Sequence, residues 1–305
     1  MSNSFEGVII LGMPRSGTTL LRRLLNAHRS LVCPAETGLL AAASRLLTQN
    51  TVAGGLSLGV ISGLGFAGFT EDEVLERLRK FVFSFWRDLA VRENKPIWVE
   101  KTAIDLFHLE TVETLCGERC RYVNIVRNPL DVICSLSDLT NKMQGFLPEI
   151  YAYVQRHRSW VSAYAEAWVD GNAKLLDFER RHPNWCIRLK YEDLVQQPAL
   201  ELQRICEFLG LPEDVDLVIS RAMEDRESVG LGDWKTYEQR SIEASRKGSR
   251  AKLGGWTVQE LADLLNPTME QLGYKPIKKL DVLKGRKPGL AQTIATMNMG
   301  VQHDR

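Results

Sequence analysis

The chain has 305 residues, enough for one large α/β domain or two ordinary ones with a sizeable core. Its 39 Lys+Arg stand against 38 Asp+Glu, so there is no global field of the kind that draws nucleic acid or an anionic membrane, and any recognition by charge must be local. Six scattered cysteines without a Cys-x-x-Cys pair argue for reduced thiols rather than a disulfide frame or a metal site.

Met1 to Glu6 offers neither a positive n-region nor a long apolar core, so no export signal is expected and the cytoplasm is the expected compartment. Val8 to Leu11 is a short apolar run that fits a strand buried on both faces. Gly12 and Gly17 bracket a tight polar loop, and Thr18 to Ala27 has the apolar period of a helix. Strand, glycine-flanked loop and helix form a phosphate cradle: the backbone can approach closely, and the helix start adds roughly half a positive charge. The spacing Gly12-x4-Gly17-x-Thr19 nearly matches the nucleotide P-loop, but Thr18 stands where that loop carries the lysine that reaches the β/γ-phosphates. Arg15 is the cation inside the loop.

Ser30 to Thr37 reads as a short extended segment, since Pro34 holds Cys33 out of helical geometry, and a helix is expected from about Leu39 to Leu47. Thr51 to Phe69 is apolar but broken by six glycines, which suits a cap over the site or a short helix pair better than a membrane span. Thr70 is the expected N-cap of the next helix with Glu73 closing a capping box, and Val74, Leu78, Phe81, Val82 and Phe85 sharing a face. Pro96 to Val99 is a strand candidate that ends in Glu100-Lys101-Thr102, followed by a helix from about Leu106 to Leu115. Arg121 to Val126 is a strand rich in β-branched residues, ending in Arg127-Asn128 before a helix opened by Pro129.

Tyr151 to Leu176 carries Trp160, Tyr164, Trp168 and Leu175 at helical spacing and reads as one long helix with a core stripe. A strand over Trp185 to Lys190 follows, then a turn at Tyr191 and an amphipathic helix from Leu200 to Leu209 stopped by Gly210 and Pro212. Ser245 to Gly255 is a basic loop, Thr257 to Leu272 a last helix, and the tail beyond Pro276 is lysine-rich.

Alternating strands and helices imply a mainly parallel sheet with helices around it, whose ligands lie beyond the carboxyl ends of the strands. Arg15, Glu36, Lys101 and Arg127 all fall there, each just after a strand or short extended segment. Arg127 and Ser135 lie two helical turns apart, about 11 Å of rise. The connecting turn can fold Arg127 back, so that its guanidinium fork and the Ser135 hydroxyl share one phosphate.

Pro14-Arg-Ser-Gly-Thr-Thr-Leu20, Arg127-Asn-Pro-x4-Ser135 and Arg246-Lys-Gly-x5-Gly254-Gly-Trp256, in that order, resemble the sulfotransferases that use 3′-phosphoadenosine-5′-phosphosulfate (PAPS). The likeness runs from Val8 to Tyr274. The pair Glu36-Thr37, the stretch Tyr191-Glu-Asp-Leu-Val with Pro198, and the ending Met269 to Tyr274 are most similar to the tyrosylprotein-sulfotransferase branch.

The resemblance implies an α/β fold with a P-loop-type parallel sheet flanked by helices. Residues 1–276 would form one sulfotransferase domain and 277–305 a C-terminal tail, while the composition of 51–95 suits a helical, glycine-rich insertion that caps the acceptor site. The resemblance implies PAPS binding by Arg15, Ser16, Gly17, Thr18 and Thr19 at the 5′-phosphosulfate and by Arg127 and Ser135 at the 3′-phosphate. Tyr191 and Arg246, Lys247 and Gly248 would lie near the nucleotide. Glu36 would be the general base, Lys101 would steady the bridging oxygen, and Arg15 would act beside it. No metal is expected.

The small-molecule branch carries its base in a Lys-Thr-His sequence, and here it reads Lys101-Thr102-Ala103, so the base must come from elsewhere; His108 is the fallback to Glu36. The missing P-loop lysine fits a donor with no β/γ-phosphate pair. A kinase-like P-loop protein is the competing reading, but it needs that lysine and a strand-end carboxylate for Mg²⁺. A non-catalytic nucleotide binder is the third. Gly38 stands where the tyrosine-modifying branch has arginine, which favours a small-molecule, lipid-like or polyketide-like hydroxyl acceptor over a protein tyrosine. Phe81, Phe83 and Phe85 are candidate linings for it. Neither nucleic acid nor a membrane span is expected as a partner, and a homodimer is left open.

Overall fold

Along β1 (Gly7–Leu11), Ile9 and Leu11 enter one apolar cluster while Val8 and Ile10 enter another, because successive strand side chains alternate between faces. A strand buried on both faces needs a helical layer on each, and the computed structural model, which describes residues 5–49, 51–53, 56–212, 214–224, 242 and 253–278, supplies both. Five strands form one sheet in the order β2 (Leu31–Val32), β5 (Ile97–Glu100), β1, β6 (Cys120–Val126), β7 (Cys186–Lys190), and every neighbouring pair is parallel.

One face is covered by α1 (Thr18–Ala27), α9 (Tyr191–Gln196), α10 (Pro198–Leu209) and α11 (Val215–Glu224). The other carries α2 (Leu39–Thr48), α4 (Glu71–Arg92), α5 (Leu109–Cys116), α6 (Pro129–Met143), α7 (Pro148–Val154), α8 (Trp160–Arg181) and α12 (Gly255–Gln271). Each fully buried Leu, Ile or Val in these layers is worth about 1.5–3 kcal/mol.

β1 leads through α1 to β2 on one side of the sheet, while β6 leads through its helices to β7 on the other. The crevice between the carboxyl ends of β1 and β6 is therefore a topological switch point, the place where open α/β sheets bind ligands. Gly12 makes that junction tight: a Cβ there would lie 2.5 Å from the Ile125 carbonyl oxygen.

Thr70 caps α4 as expected, its Oγ1 accepting from the Glu73 N–H at 3.2 Å while the Glu73 carboxylate accepts from the Thr70 N–H at 2.8 Å. Three expectations change. The region 51–69 is not a helix pair: Thr51–Ala53 (β3) pairs antiparallel with Leu56–Leu58 (β4), and only then comes the short helix α3 (Val60–Phe66). The long helix over 151–176 is two helices, because Ser159 takes an extended N-cap conformation at φ −127 and ψ 130. On α4, Phe83 packs in the core, edge-on to Trp98 at 5.2 Å and beside Trp86 at 5.5 Å, so it lines no acceptor site. Phe81 and Phe85 are instead 57% and 51% exposed and meet edge-to-face at 5.1 Å.

Among the described residues, no helix is long and apolar enough to cross a membrane, and no group of three His, Cys, Asp or Glu could hold a metal ion.

Candidate active site

The loop after β1 turns with the Ser16 N–H donating to the Met13 carbonyl at 2.9 Å. Arg15 takes φ 75 and Gly17 φ 98, both in the left-handed region, where a residue with a Cβ pays roughly 1–2 kcal/mol. The strained arginine therefore marks a position held by its surroundings. Gly17 begins α1 without a side-chain cap, so the first N–H groups of that helix face the loop with the positive end of the helix dipole. Ser16 Oγ is buried and has no hydrogen-bond partner among the described residues. An uncapped helix start and an orphaned buried hydroxyl inside a glycine-flanked loop fit an anion such as a phosphate.

Side chains from β6, α6 and α9 close around this loop. Arg15 Nε donates to Ser135 Oγ at 2.8 Å, and Arg127 Nη1 donates to the Arg15 carbonyl at 2.9 Å. The link from Arg127 to Ser135 thus runs through Arg15. The Arg127 guanidinium lies 4.2 Å over the Tyr191 ring, a cation–π contact, and the buried Trp168 Nε1 donates to the Arg127 carbonyl at 3.1 Å. Asn128 caps α6 through its Oδ1, which accepts from the Leu130 N–H at 3.1 Å.

A second tier, which the sequence did not single out, braces this half. Glu192 accepts from the Asn128 N–H at 3.0 Å with one oxygen and from the Tyr274 hydroxyl at 2.8 Å with the other. Burial first, and the Glu192 charge second, push the Tyr274 hydroxyl far above its ordinary pKa, so it stays a donor.

On the other side of β1, at the end of β5, Lys101 Nζ donates to Glu36 Oε1 at 2.7 Å. Lys101 is 1% exposed and Glu36 23%, so the ammonium is enclosed while the carboxylate reaches solvent. Glu36 sits on the segment between β2 and α2. Arg22 holds the start of that segment, with Nε donating to the Cys33 and Pro34 carbonyls at 3.0 and 3.1 Å. β5, β1 and β6 are adjacent in the sheet, so the Glu36–Lys101 pair, the glycine loop and Arg127 share one edge.

His108 lies elsewhere: its Nδ1 is 3.0 Å from Ser44 Oγ and its Nε2 3.1 Å from Glu149 Oε1, a carboxylate that also pairs with Arg45 at 2.6 Å. Neither of these ring nitrogens is bonded to Glu36 or Lys101. Thr18 and Thr19 are buried in the first turn of α1. Arg246, Lys247 and Gly248 lie outside the described residues.

The model of the sulfotransferase family matches residues 7–215. Protein-tyrosine sulfotransferase A of Caenorhabditis elegans is 25% identical over 276 residues, covering 88% of this chain and 67% of the relative. Among solved structures, the sulfotransferase domain from the curacin biosynthetic pathway superposes with a TM-score of 0.61 at 20% identity, over 90% of this chain and 100% of that one. The sulfotransferase domain from the Synechococcus PCC 7002 olefin synthase gives 0.59 at 22%, over 91% and 98%. At such identities the two structures speak for the fold alone. The family match, spanning more than half of the sequence and every strand of the sheet described above, settles the wider question: the chain belongs to the sulfotransferase family.

Proposed function

We propose that this chain moves the sulfuryl group of PAPS onto a hydroxyl acceptor by in-line transfer, leaving 3′-phosphoadenosine-5′-phosphate (PAP), with Glu36 as the base. The observation that carries the reading is the 2.7 Å contact between Lys101 Nζ and Glu36 Oε1 on the same sheet edge as a phosphate loop that lacks the P-loop lysine. A kinase-like transfer has no cation at residue 18 to use.

When bound, the donor supplies a sulfuryl group on a phosphate leaving group. Glu36 takes the acceptor's hydroxyl proton as the new O–S bond forms, a role that typically contributes about 10²–10⁴-fold. Lys101 has three N–H groups, so it can hold Glu36 and meet the bridging oxygen as the S–O bond to phosphate breaks. Arg15, Ser16 and the first N–H groups of α1 hold the 5′ end, and donors of this kind are worth about 3–4 kcal/mol each. Arg127 and Ser135 hold the 3′-phosphate, with Tyr191 beneath the guanidinium. Thr18 and Thr19 add the first turn of α1, and Arg246, Lys247 and Gly248 are assigned to the nucleotide from sequence likeness alone.

For the acceptor, a small-molecule, lipid-like or polyketide-like hydroxyl is preferred to a protein tyrosine. Gly38 has φ 67 at the start of α2, a conformation that disfavours any side chain, so this turn is not built to carry a cation toward an acidic peptide. The exposed Phe66, Phe81 and Phe85 on α3 and α4 favour an apolar acceptor. The tyrosine reading keeps its place in the test because of the name of the nematode relative.

Calorimetry with PAP against ATP, joined to a transfer assay with PAPS and a panel of apolar alcohols, polar alcohols and a tyrosine peptide, tests the proposal. Tight PAP binding and transfer to an alcohol are expected. Tight binding of ATP with indifference to the 3′-phosphate would overturn it, and transfer to the peptide alone would reverse the choice of acceptor.

A further inference from the structure

Glu100 is wholly buried at the last residue of β5, directly before Lys101. Its Oε2 accepts from the Thr37 hydroxyl at 2.7 Å and its Oε1 from the Thr102 hydroxyl at 2.6 Å. Both hydroxyls also accept from the backbone: Thr37 Oγ1 from the Leu39 N–H at 3.3 Å, and Thr102 Oγ1 from the Gly38 N–H at 3.0 Å. One carboxylate thus fixes, through two hydroxyl relays, the backbone on the residues that follow Glu36. Each hydroxyl uses its donor on Glu100 and a lone pair on the chain, which leaves neither free to turn. Arg22 fixes the same segment at Cys33 and Pro34. Glu36 is held between these two anchors.

We infer that Glu100 is a positioning residue that aims Glu36 at Lys101, binding the segment after β2 to the end of β5 through Thr37 and Thr102. The role rests on reading Glu36 as the base, and a misplacement of about 1 Å at such a group can cost roughly 10²-fold in rate. Its energetics agree with a group kept for geometry rather than stability. Burial drives the carboxyl up from its ordinary pKa, while the two threonine hydroxyls and the neighbouring Lys101 pull against that.

The test compares Glu100→Gln, which keeps an acceptor for only one of the two hydroxyls, with the double variant Thr37→Val, Thr102→Val, which removes both hydrogen bonds while leaving Glu100 in place and keeps the experiment alive if the first variant does not fold. Both are expected to lose about 10²-fold in kcat, with KM for PAPS and PAP affinity by calorimetry within about twofold of the wild type. Thr37→Ser, Thr102→Ser restores the hydroxyls and is expected to recover most of the loss. An unchanged kcat, or a loss shared equally by kcat and PAP affinity, would overturn the inference.

If the wild type transfers nothing from PAPS, the functional reading has failed separately, and positioning is then read from crystal structures of the valine variant. Separation of Glu36 from Lys101 beyond about 4 Å supports the role. A contact kept at the wild-type 2.7 Å overturns it.

Discussion

The ring of Tyr191 occupies the space that a side chain at residue 17 would need: a Cβ on Gly17 would lie 2.2 Å from Tyr191 Cδ2. The same ring carries the Arg127 guanidinium on its face, so the glycine loop, the arginine after β6 and the first residue of α9 form one stack. Gly17→Ala therefore meets both a left-handed φ of 98 and a steric clash. It is expected to weaken PAP binding about tenfold or more, from strain of roughly 1–2 kcal/mol, and to lower Tm. Calorimetry and a thermal melt check this, and unchanged affinity would mean that the loop is not the anion site.

Glu36→Gln keeps an acceptor for Lys101 but cannot take a proton. Its kcat is expected to fall by about 10²–10⁴-fold while PAP affinity holds. His108 is tied to Ser44 and Glu149, so His108→Ala should cost less than about tenfold. Steady-state kinetics of the two variants decide between the bases, and the reverse order of effects would hand the role to His108.

Asp105 lies wholly buried in the turn after Thr102, and burial first, with the Glu100 charge second, raises its carboxyl well above the usual carboxylate range. The folded protein then keeps a proton there that the unfolded chain gives up near pH 4. With more protons bound in the folded state, stability falls as pH rises from about 4 until the folded pKa is passed, by up to about 1.4 kcal/mol per pH unit. Asp105→Asn removes this contribution. Urea denaturation between pH 4 and 8 should show the variant gaining on the wild type as pH rises; parallel curves would refute the assignment.

All six cysteines are free thiols, and Cys33, Cys116, Cys120, Cys134 and Cys206 are buried. Burial pushes the Cys33 and Cys186 thiols up to about 12, far from the thiolate that reacts. A thiol-reactive dye at pH 8 is expected to label the native protein slowly and to reach six equivalents only after unfolding. Rapid native labelling would show that the core opens locally.

Much of the candidate site's backbone geometry was legible because its signals are local. The loop from Gly12 to Gly17 and the capping box of Thr70 and Glu73 each lie within a few residues, and both formed as read. What escaped depends on contacts between distant segments. Thr37 and Thr102 meet on Glu100 because β2 and β5 pair in parallel, Leu31 beside Ile97, a register that no pattern around either threonine reveals. Glu192 and Tyr274 likewise meet across 82 residues. The break between α7 and α8 was hidden for another reason. The aromatic period runs on through it, and the interruption comes where Ser159 leaves helical geometry, with Arg156 stacked on the Tyr153 ring at 4.6 Å and His157 paired with Glu166 beside it.

The hydrogen bond from Tyr274 to Glu192, with Lys190 Nζ donating to the Gly273 carbonyl at 2.7 Å, fastens the stretch after α12 to the floor beneath Arg127. The family match ends at residue 215, well short of this latch. A shortened version trimmed to the matched region would therefore keep every strand and all of Arg15, Glu36, Lys101, Arg127 and Glu192, yet lose the Tyr274 hydroxyl that holds Glu192 in place against the Asn128 N–H. Anyone designing a minimal catalytic fragment should place its boundary beyond Tyr274.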